Sequence, residues 1–233
     1  MTARPKPKEI LICGAEHAVP HLQGGRLSFT NANWGNRSNI MYRWGNLDEI
    51  NDLSAAHAKE VVRRAMATWE AAGAGLKFVE STDAASFEIA WLNFSKDTDS
   101  SPGPDNAIAH GNKKLMHFDI RLWWLDGTNI NGDDAESVAL HELGHVLGLP
   151  HSQDRSAIMY PSITRGFKKR HLGGDDYDQL YMLYPTWRNL GSDGGKGKII
   201  FQVAPDIPFR EEQVLLFVAL EMNKMVCGMI SKA

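Results

Sequence analysis

VALHELGHVLGLPH, residues 138 to 151, is the stretch of sequence from which the fold and the chemistry can be worked out. His141 and His145 are four residues apart, so on a helix both side chains project from one face and can bind one Zn²⁺ at about 2.0–2.1 Å per nitrogen. Glu142 lies on an adjacent face, where it can contact a water at the metal without being a ligand. The pattern therefore predicts a metal site with a general base beside it.

The end of the stretch supplies a third ligand. Gly148 can adopt the left-handed conformation that ends a helix, so the chain turns there and His151 returns towards the metal. Three protein ligands leave a fourth position for water, as in catalytic rather than structural zinc sites. A bare H-E-x-x-H also occurs in helices whose histidines bind nothing, but here Met159 follows eight residues after the last histidine. The whole pattern resembles the metzincin zinc motif with its Met-turn.

Composition and charge argue against several classes of protein. With 43% hydrophobic and 23% charged residues among 233, the chain has the composition of a soluble globular protein. A net charge of −3 gives no reason to expect nucleic acid or an anionic membrane as a partner. Two cysteines, Cys13 and Cys227, allow at most one disulfide. The apolar run ILIC is too short for a signal peptide and VLLFVAL, at 214 to 220, is too short for a membrane span, so neither is predicted.

Local signals divide the chain into three parts. Residues 1–36 are rich in Pro, Gly and Asn and lack periodicity, which predicts an N-terminal extension or short pro-segment. Residues 37–185 contain the regular elements and form the predicted catalytic domain. Residues 186–233 contain the linker-like GSDGGKGK and form a linker and tail of unknown role. The KKR run at 168 to 170 is predicted to be a solvated face.

Helices and short strands follow one another within the predicted domain. One helix begins after Ser54, which fits an N-cap, and its apolar residues recur at helical spacing. Asp133 or Asp134 can cap the helix of the zinc motif, with Glu136 placed for a capping-box-like start. A helix between two strands favours a parallel crossover, so the sheet should be partly parallel. The other predicted elements are strands at 40–44, 76–79, 87–92, 107–110 and 115–120 and a last helix at 175–184.

Segments across this domain resemble the catalytic domain of the matrixins, the matrix-metalloproteinase family of the metzincins. The resembling segments are NIMYRW, AHG, HFDIRLWW, HELGHVLGLPHS, AIMYPS and LGGDDYDQLYMLYP. The resemblance implies an α+β, zincin-like fold, with a twisted, mostly parallel mixed sheet of about five strands and three helices. It also implies a secreted, monomeric zinc-dependent endopeptidase that degrades extracellular or cell-wall protein. A processing protease with a narrow sequence requirement is equally compatible with the motif. Its cofactor would be Zn²⁺ and its partner a protein or peptide substrate.

The resemblance assigns roles around the metal. His141, His145 and His151 would hold one catalytic zinc. Glu142 would be the general base that takes a proton from a metal-activated water and passes it to the leaving amine. Met159 would form a hydrophobic floor beneath the histidines without being a ligand.

The implied substrate is an extended peptide that adds as a strand along the edge near Ile108 and Ala109. Backbone groups of that edge would give affinity, and a side-chain pocket would give specificity. The P1′ side chain of the substrate is expected to be apolar and to enter an S1′ pocket. The implied lining of this pocket is Val138, Pro161, Ser162 and Ile163.

The sequence departs from the family pattern at the positions that bind further metals. Matrixins generally carry a second, structural zinc and calcium, and His110 and His117 occupy two of the expected positions. However, the preceding WLNFSKDTDSSPGP contains no histidine. Leu122 stands where the family pattern has a calcium-binding Glu after Asp119, whereas Asp97 or Asp99 could supply oxygen ligands. A second metal site therefore stays open, and the alternative is a pair of ordinary strand histidines.

The N-terminal cysteine is a second departure. Cys13-Gly14 resembles, in those two residues alone, the pro-segment cysteine that fills the fourth zinc position and keeps matrixins latent. A thiol bound to zinc is deprotonated, so the chemistry is sound. The alternative is an N-terminal cysteine without this role. The chain could likewise be a silent or latent zinc-binding domain that acts as a protein-binding module, although the presence of Glu142 argues against a silent site.

Overall fold

The computed structural model describes residues 9–13, 21–23, 26–28, 34–47, 50–95, 107–128, 131–184, 188–189 and 201–202. The chain divides into two compact units, Met1–Pro185 and Thr186–Ala233. In the second unit the description covers one antiparallel pair of two-residue strands, and the predicted linker and Cys227 lie outside the described residues. No helix in the described part of the chain is both long and apolar enough to cross a membrane.

The elements are numbered in chain order. The strands are β1 (Glu9–Leu11), β2 (His21–Gln23), β3 (Arg26–Ser28), β4 (Ile40–Trp44), β5 (Phe78–Glu80), β6 (Phe87–Leu92), β7 (Ala109–Gly111), β8 (Leu115–Asp119), β9 (Trp124–Leu125), β10 (Asp133–Asp134), β11 (Ser162–Thr164), β12 (Arg188–Asn189) and β13 (Phe201–Gln202). The helices are α1 (Ala55–Ala71), α2 (Ala135–Leu147) and α3 (Gly174–Leu183).

The largest sheet has five strands in the order β5-β4-β6-β8-β7. Its first four strands are mutually parallel, and β7 pairs antiparallel with β8 at one edge. The helix α1 connects the parallel neighbours β4 and β5, as the crossover argument predicted. This mixed, mostly parallel sheet with three helices confirms the predicted α+β architecture.

Most predicted elements occur near their predicted positions. The strands β4 and β6 have the predicted bounds, and the side chain of Ser54 caps α1. The strand β5 begins two residues later than predicted, because Gly75 takes a left-handed φ of 73°. The strand β7 also begins two residues late, at Ala109, and the N–H groups of Ile108 and Ala109 both bond to the Ile12 carbonyl at 3.0 Å. Both shifts depend on contacts or backbone angles that periodicity does not report.

The helix of the zinc motif, α2, is buried along its whole length of 13 residues. It packs against α1, where Trp69 is fully buried and donates its indole N–H to the Leu140 carbonyl at 2.9 Å. Gly144 permits a close approach, because a Cβ there would overlap the sulfur of Met159. Replacing a fully buried leucine of this helix, such as Leu143, by alanine would cost about 2–5 kcal/mol. Residues of the motif are therefore held inside a packed core.

Candidate metal centre

The helix α2 begins and ends where the sequence predicted. Asp134 is the N-cap, and its carboxylate accepts from the Ser137 N–H at 3.1 Å. Gly148 ends the helix with a left-handed φ of 98°. The capping-box role predicted for Glu136 is wrong, because its carboxylate pairs with Arg64 at 2.9 Å. The turn at Gly148 sends the chain back across the end of the helix.

Four side chains converge beside the C-terminal half of α2. His141, His145, His151 and Cys13 each offer one ligand atom, and these atoms all lie within 4.8 Å of one another. The ring centroids of the three histidines are 4.8–5.3 Å apart. His151 is half-buried, and the other three residues are buried. The structure therefore brings together the three predicted ligands and Cys13, the possible inhibitory ligand from a distant part of the chain.

Hydrogen bonds fix the orientation of two of the rings. The Nδ1 atom of His141 lies 2.8 Å from the Ile158 carbonyl, and that of His145 lies 2.8 Å from the Leu149 carbonyl. A carbonyl oxygen only accepts, so both Nδ1 atoms donate, and in the neutral ring Nε2 then keeps its lone pair. The two Nε2 atoms face each other at 3.1 Å. Lone pairs at that distance repel unless a cation lies between them.

A zinc ion fits this donor set. Two nitrogens bound at ~2.0–2.1 Å to one tetrahedral zinc are about 3.3 Å apart, close to the separation of the two Nε2 atoms. Three imidazoles and a thiol are ligands that zinc prefers, and a carbonyl behind each ring is a common support for a metal-binding histidine. The residues present therefore match the predicted zinc ligands.

Glu142 follows His141 directly in α2. Its side chain is fully buried, and neither carboxylate oxygen has a hydrogen-bond partner among the described residues. Burial raises the pKa of Glu142 well above its usual value. A Cβ at Gly111 of β7 would come within 3.0 Å of the Glu142 carboxylate, so the edge strand lies directly against it. A raised pKa is what a proton acceptor and donor in a peptidase requires.

The turn at Met159 packs against α2, and the role of Met159 as a floor beneath the histidines stays a prediction. Met159 is fully buried and contacts α2 at Gly144. Asp176 of α3 supports this turn: its carboxylate accepts from the N–H groups of Ile158 at 2.7 Å and Met159 at 2.9 Å. It also accepts from the Gly173 N–H at 2.7 Å and so caps α3. Sequence reasoning missed Asp176, since an acidic residue in a first helical turn predicts a cap but not a contact 17 residues earlier in the chain.

Residues 9–13 lie along the predicted substrate edge. Ile12 accepts at its carbonyl from the N–H groups of Ile108 and Ala109, both at 3.0 Å, and donates its own N–H to the Pro161 carbonyl at 2.9 Å. The strand β1 pairs antiparallel with β11. A parallel bridge between Cys13 and Ala109 completes this pairing. The chain's own N-terminal segment thus contacts both predicted walls of the cleft.

The residues predicted to line S1′ lie in two elements beside the metal ligands. Val138 is fully buried in α2, three residues before His141. Ser162 and Ile163 lie in β11 opposite β1, directly after Pro161. The lining role itself stays a prediction.

The second predicted metal cluster does not assemble as one group. Nε2 of His110 lies 3.3 Å from Nδ1 of His117, but the Asp119 carboxylate is bound by Arg121, which approaches at 2.6–2.9 Å. Among the described residues, one group of three or more potential ligands occurs, and it is the group with Cys13. Asp97 and Asp99 lie outside the described residues. A second metal stays a prediction.

The solvated face predicted at 168 to 170 is wrong for Arg170. Its side chain is 18% exposed and pairs with three carboxylates, those of Asp126, Asp134 and Glu136. Arg165 pairs with Asp133 at 2.9 Å in the same way. The loop after β11 is thereby joined to the first turn of α2.

Comparison with known proteins agrees with the geometry. The family model described as Matrixin matches residues 33–185. The chain is 31% identical over 192 residues to the hatching enzyme of Paracentrotus lividus, covering 79% of this chain and 30% of that protein. It is 36% identical over 138 residues to metalloendoproteinase 1 of Glycine max, covering 54% of this chain and 45% of that protein.

A vertebrate relative gives a similar match. The interstitial collagenase of Bos taurus is 31% identical over 186 residues, which are 76% of this chain and 37% of the collagenase. The chain therefore spans between about a third and a half of the length of the curated relatives that it matches.

Proposed function

Because the chain belongs to the matrixin family, we propose that it is a zinc-dependent endopeptidase that hydrolyses peptide bonds in proteins outside the cell. The observation that carries this proposal is the convergence of three histidines beside a buried carboxylate that has no partner among the described residues. A structural zinc site needs no such carboxylate. A peptidase site does, because protons must be moved during hydrolysis.

His141, His145 and His151 would hold the zinc through their ring nitrogens. The Nδ1 hydrogen bonds of the first two rings support this assignment, since they direct Nε2 into the cluster. When bound, zinc supplies a Lewis acid that polarises a peptide carbonyl and makes a water more acidic. Met159 would lie beneath the cluster and exclude water from that side, and its full burial supports this role.

Glu142 would move the proton. Its carboxylate would accept a proton from the attacking water and donate it to the amine that leaves when the peptide bond breaks. Burial supports this role, because it raises the pKa of the carboxyl towards the range in which both steps are efficient. No nucleophilic Ser or Cys is required.

The substrate would be an extended peptide bound along the β7 edge. The N–H groups of Ile108 and Ala109 already bind one extended segment, residues 9–13, and would bind a substrate strand in the same cleft. Val138 and the Pro161–Ile163 segment would receive the P1′ side chain. Their apolar members favour an apolar P1′ residue.

Cys13 would keep the chain latent. Its thiol lies in the same group as the three histidines, so it can complete a four-ligand zinc site and leave no position for water. The pairing of residues 9–13 with both cleft walls would exclude substrate at the same time.

The test uses the full chain with Cys13→Ser, beside the same chain with Glu142→Ala added. Zinc content and cleavage of a mixed peptide library are measured on both. We expect both proteins to bind zinc, and we expect the loss of Glu142 to slow cleavage at least about 100-fold. If the first protein binds zinc and cleaves no peptide, the endopeptidase proposal fails.

A further inference from the structure

One peptide bond connects a buried carboxylate to a predicted zinc ligand. The carbonyl of Ile158 accepts from Nδ1 of His141 at 2.8 Å, and the N–H of the same peptide unit, that of Met159, donates to Oδ1 of Asp176 at 2.9 Å. Asp176 is fully buried, and its Oδ2 also accepts from the Ile158 N–H at 2.7 Å. The carboxylate therefore reaches the imidazole through a chain of two hydrogen bonds and one amide.

Hydrogen bonds that are linked through one amide in this way strengthen each other. A carboxylate that accepts from an N–H polarises the amide, so that the carbonyl oxygen of the amide carries more negative charge and accepts more strongly. A stronger acceptor at Nδ1–H gives the imidazole ring more anionic character and makes Nε2 a better metal ligand. Burial increases the effect, because no water competes for these groups.

The neighbouring histidine provides an internal comparison. Nδ1 of His145 also donates to a backbone carbonyl at 2.8 Å, that of Leu149. The next residue is Pro150, so this peptide unit has no N–H and cannot be polarised in the same way. The two rings thus have the same kind of acceptor at the same distance. They differ in whether the peptide unit of that carbonyl has an N–H that can donate to a carboxylate.

We propose that Asp176 is a positioning residue that strengthens zinc binding by His141 through the Ile158–Met159 peptide. The proposal rests on the proposed function, in that His141 is taken to be a zinc ligand. It goes beyond that function in two ways. His141 binds zinc more strongly than His145 does, and α3 contributes to zinc affinity although no residue of α3 is a member of the ligand group.

The first measurement compares the two rings in the unaltered, metal-free chain. The Nδ1 protons of His141 and His145 are observed by NMR with ¹⁵N-labelled histidine. We expect the His141 proton to lie downfield of the His145 proton, because its acceptor is more strongly polarised. Equal shifts, or the reverse order, would overturn the proposal. This result does not depend on peptidase activity.

The second measurement is zinc affinity, determined by competition with a chelator in the full chain. Asp176→Asn keeps the shape of the side chain and removes its charge. We expect it to weaken zinc binding about 10–100-fold and to move the His141 proton upfield. Asp175→Asn makes the same chemical change one residue earlier, where the carboxylate accepts from Gln179, and should leave both readouts unchanged.

A third variant separates this effect from loss of stability. Leu180→Ala removes a fully buried side chain of α3 and destabilises the fold without touching the chain of hydrogen bonds. If Asp176→Asn binds zinc as tightly as the unaltered chain, or no more weakly than Leu180→Ala, Asp176 has a purely structural role. If instead the unaltered chain binds no zinc, it is the proposed function that fails, and the NMR comparison still decides the order of the two rings.

Discussion

At the scale of single residues, Glu142 combines full burial with the lack of a hydrogen-bond partner among the described residues. Burying a charge without compensation costs free energy, and a site that does so sacrifices stability for reactivity. Burial raises the pKa of Glu142 above its value in the unfolded chain. The neutral carboxyl therefore costs no charge-burial free energy below the unfolded pKa of about 4.3. Above it, the carboxyl lowers the free energy of unfolding increasingly as the pH rises towards the folded pKa.

Glu142→Gln should accordingly stabilise the metal-free chain. We expect the free energy of unfolding at pH 8 to rise by about 1–3 kcal/mol relative to the unaltered chain, and the difference to shrink as the pH is lowered towards 4. Denaturant unfolding at several pH values measures this. Glu60→Gln, at an exposed surface ion pair, serves as the control and should change stability little. A glutamine variant that is less stable at pH 8 would mean that the carboxylate is well solvated.

Residues of the metal site differ in how far they could be predicted. The spacing of His141 and His145 fixes a common helical face, and Gly148 fixes the turn, so local rules were sufficient for the ligands. Asp176 could not be predicted, because its partners are backbone groups brought close by tertiary packing. Arg170 was misread for the same reason: its three carboxylates lie far from it in the sequence.

At the scale of elements, the segment 9–13 is the one that would control access to the site. It is held by strand pairing with β11 and by Cys13 at the histidine cluster. Cys13→Ser should raise the rate of peptide cleavage by the full chain about tenfold or more, because a hydroxyl is a far weaker zinc ligand than a thiolate. Cleavage of a quenched peptide is the measurement, with Cys227→Ser as the matched control. Equal rates for the two variants would exclude an inhibitory role for Cys13.

A network of charges joins the loop after β11 to α1 and α2, and Asp126 is its shared acceptor. Its carboxylate bonds to His57 at 2.9 Å, to Arg64 at 2.8 Å and to Arg170 at 2.7 Å. Burial alone would raise the pKa of Asp126, but hydrogen bonds from His57, Arg170 and Arg64 outweigh it and lower the pKa well below the usual range. Its stabilising contribution is therefore present above an unfolded pKa of about 3.9 and is lost as the pH falls below that.

Removing the Asp126 carboxylate should make the free energy of unfolding depend less on pH between pH 3 and 7. Asp126→Asn is expected to lower the free energy of unfolding by about 1–3 kcal/mol at pH 7 and by less at pH 3, where the unfolded carboxyl of the unaltered chain is already protonated. Thermal or urea unfolding between pH 3 and 7 gives the comparison. If the two proteins differ equally at all pH values, the loss is one of packing and not of charge pairing.

At the scale of the whole molecule, the order of helices and strands along the sequence predicts the direction of the strands in the sheet. It does not predict which distant segments pair. Alternation of strands with a crossover helix predicted a parallel sheet, and four of the five strands are parallel. The pairing of β1 with β11 joins segments about 150 residues apart, and no local pattern indicates it. That pairing nonetheless holds the N-terminal segment against β11 within the first unit.

Zinc should stabilise this unit as a whole, since the potential ligands come from residue 13, from α2 and from the turn after it. Binding to the folded state alone adds about 4 kcal/mol at a zinc concentration 1,000 times the Kd, which corresponds to roughly 8–16 °C in Tm for a chain of this size. Calorimetry of the metal-free and zinc-loaded full chain measures the shift. His145→Ala should abolish most of it, whereas His110→Ala, outside the cluster, should leave the shift and a content of one zinc per chain intact. A second equivalent of zinc that disappears with His110→Ala would instead establish a separate metal site at the β7–β8 edge.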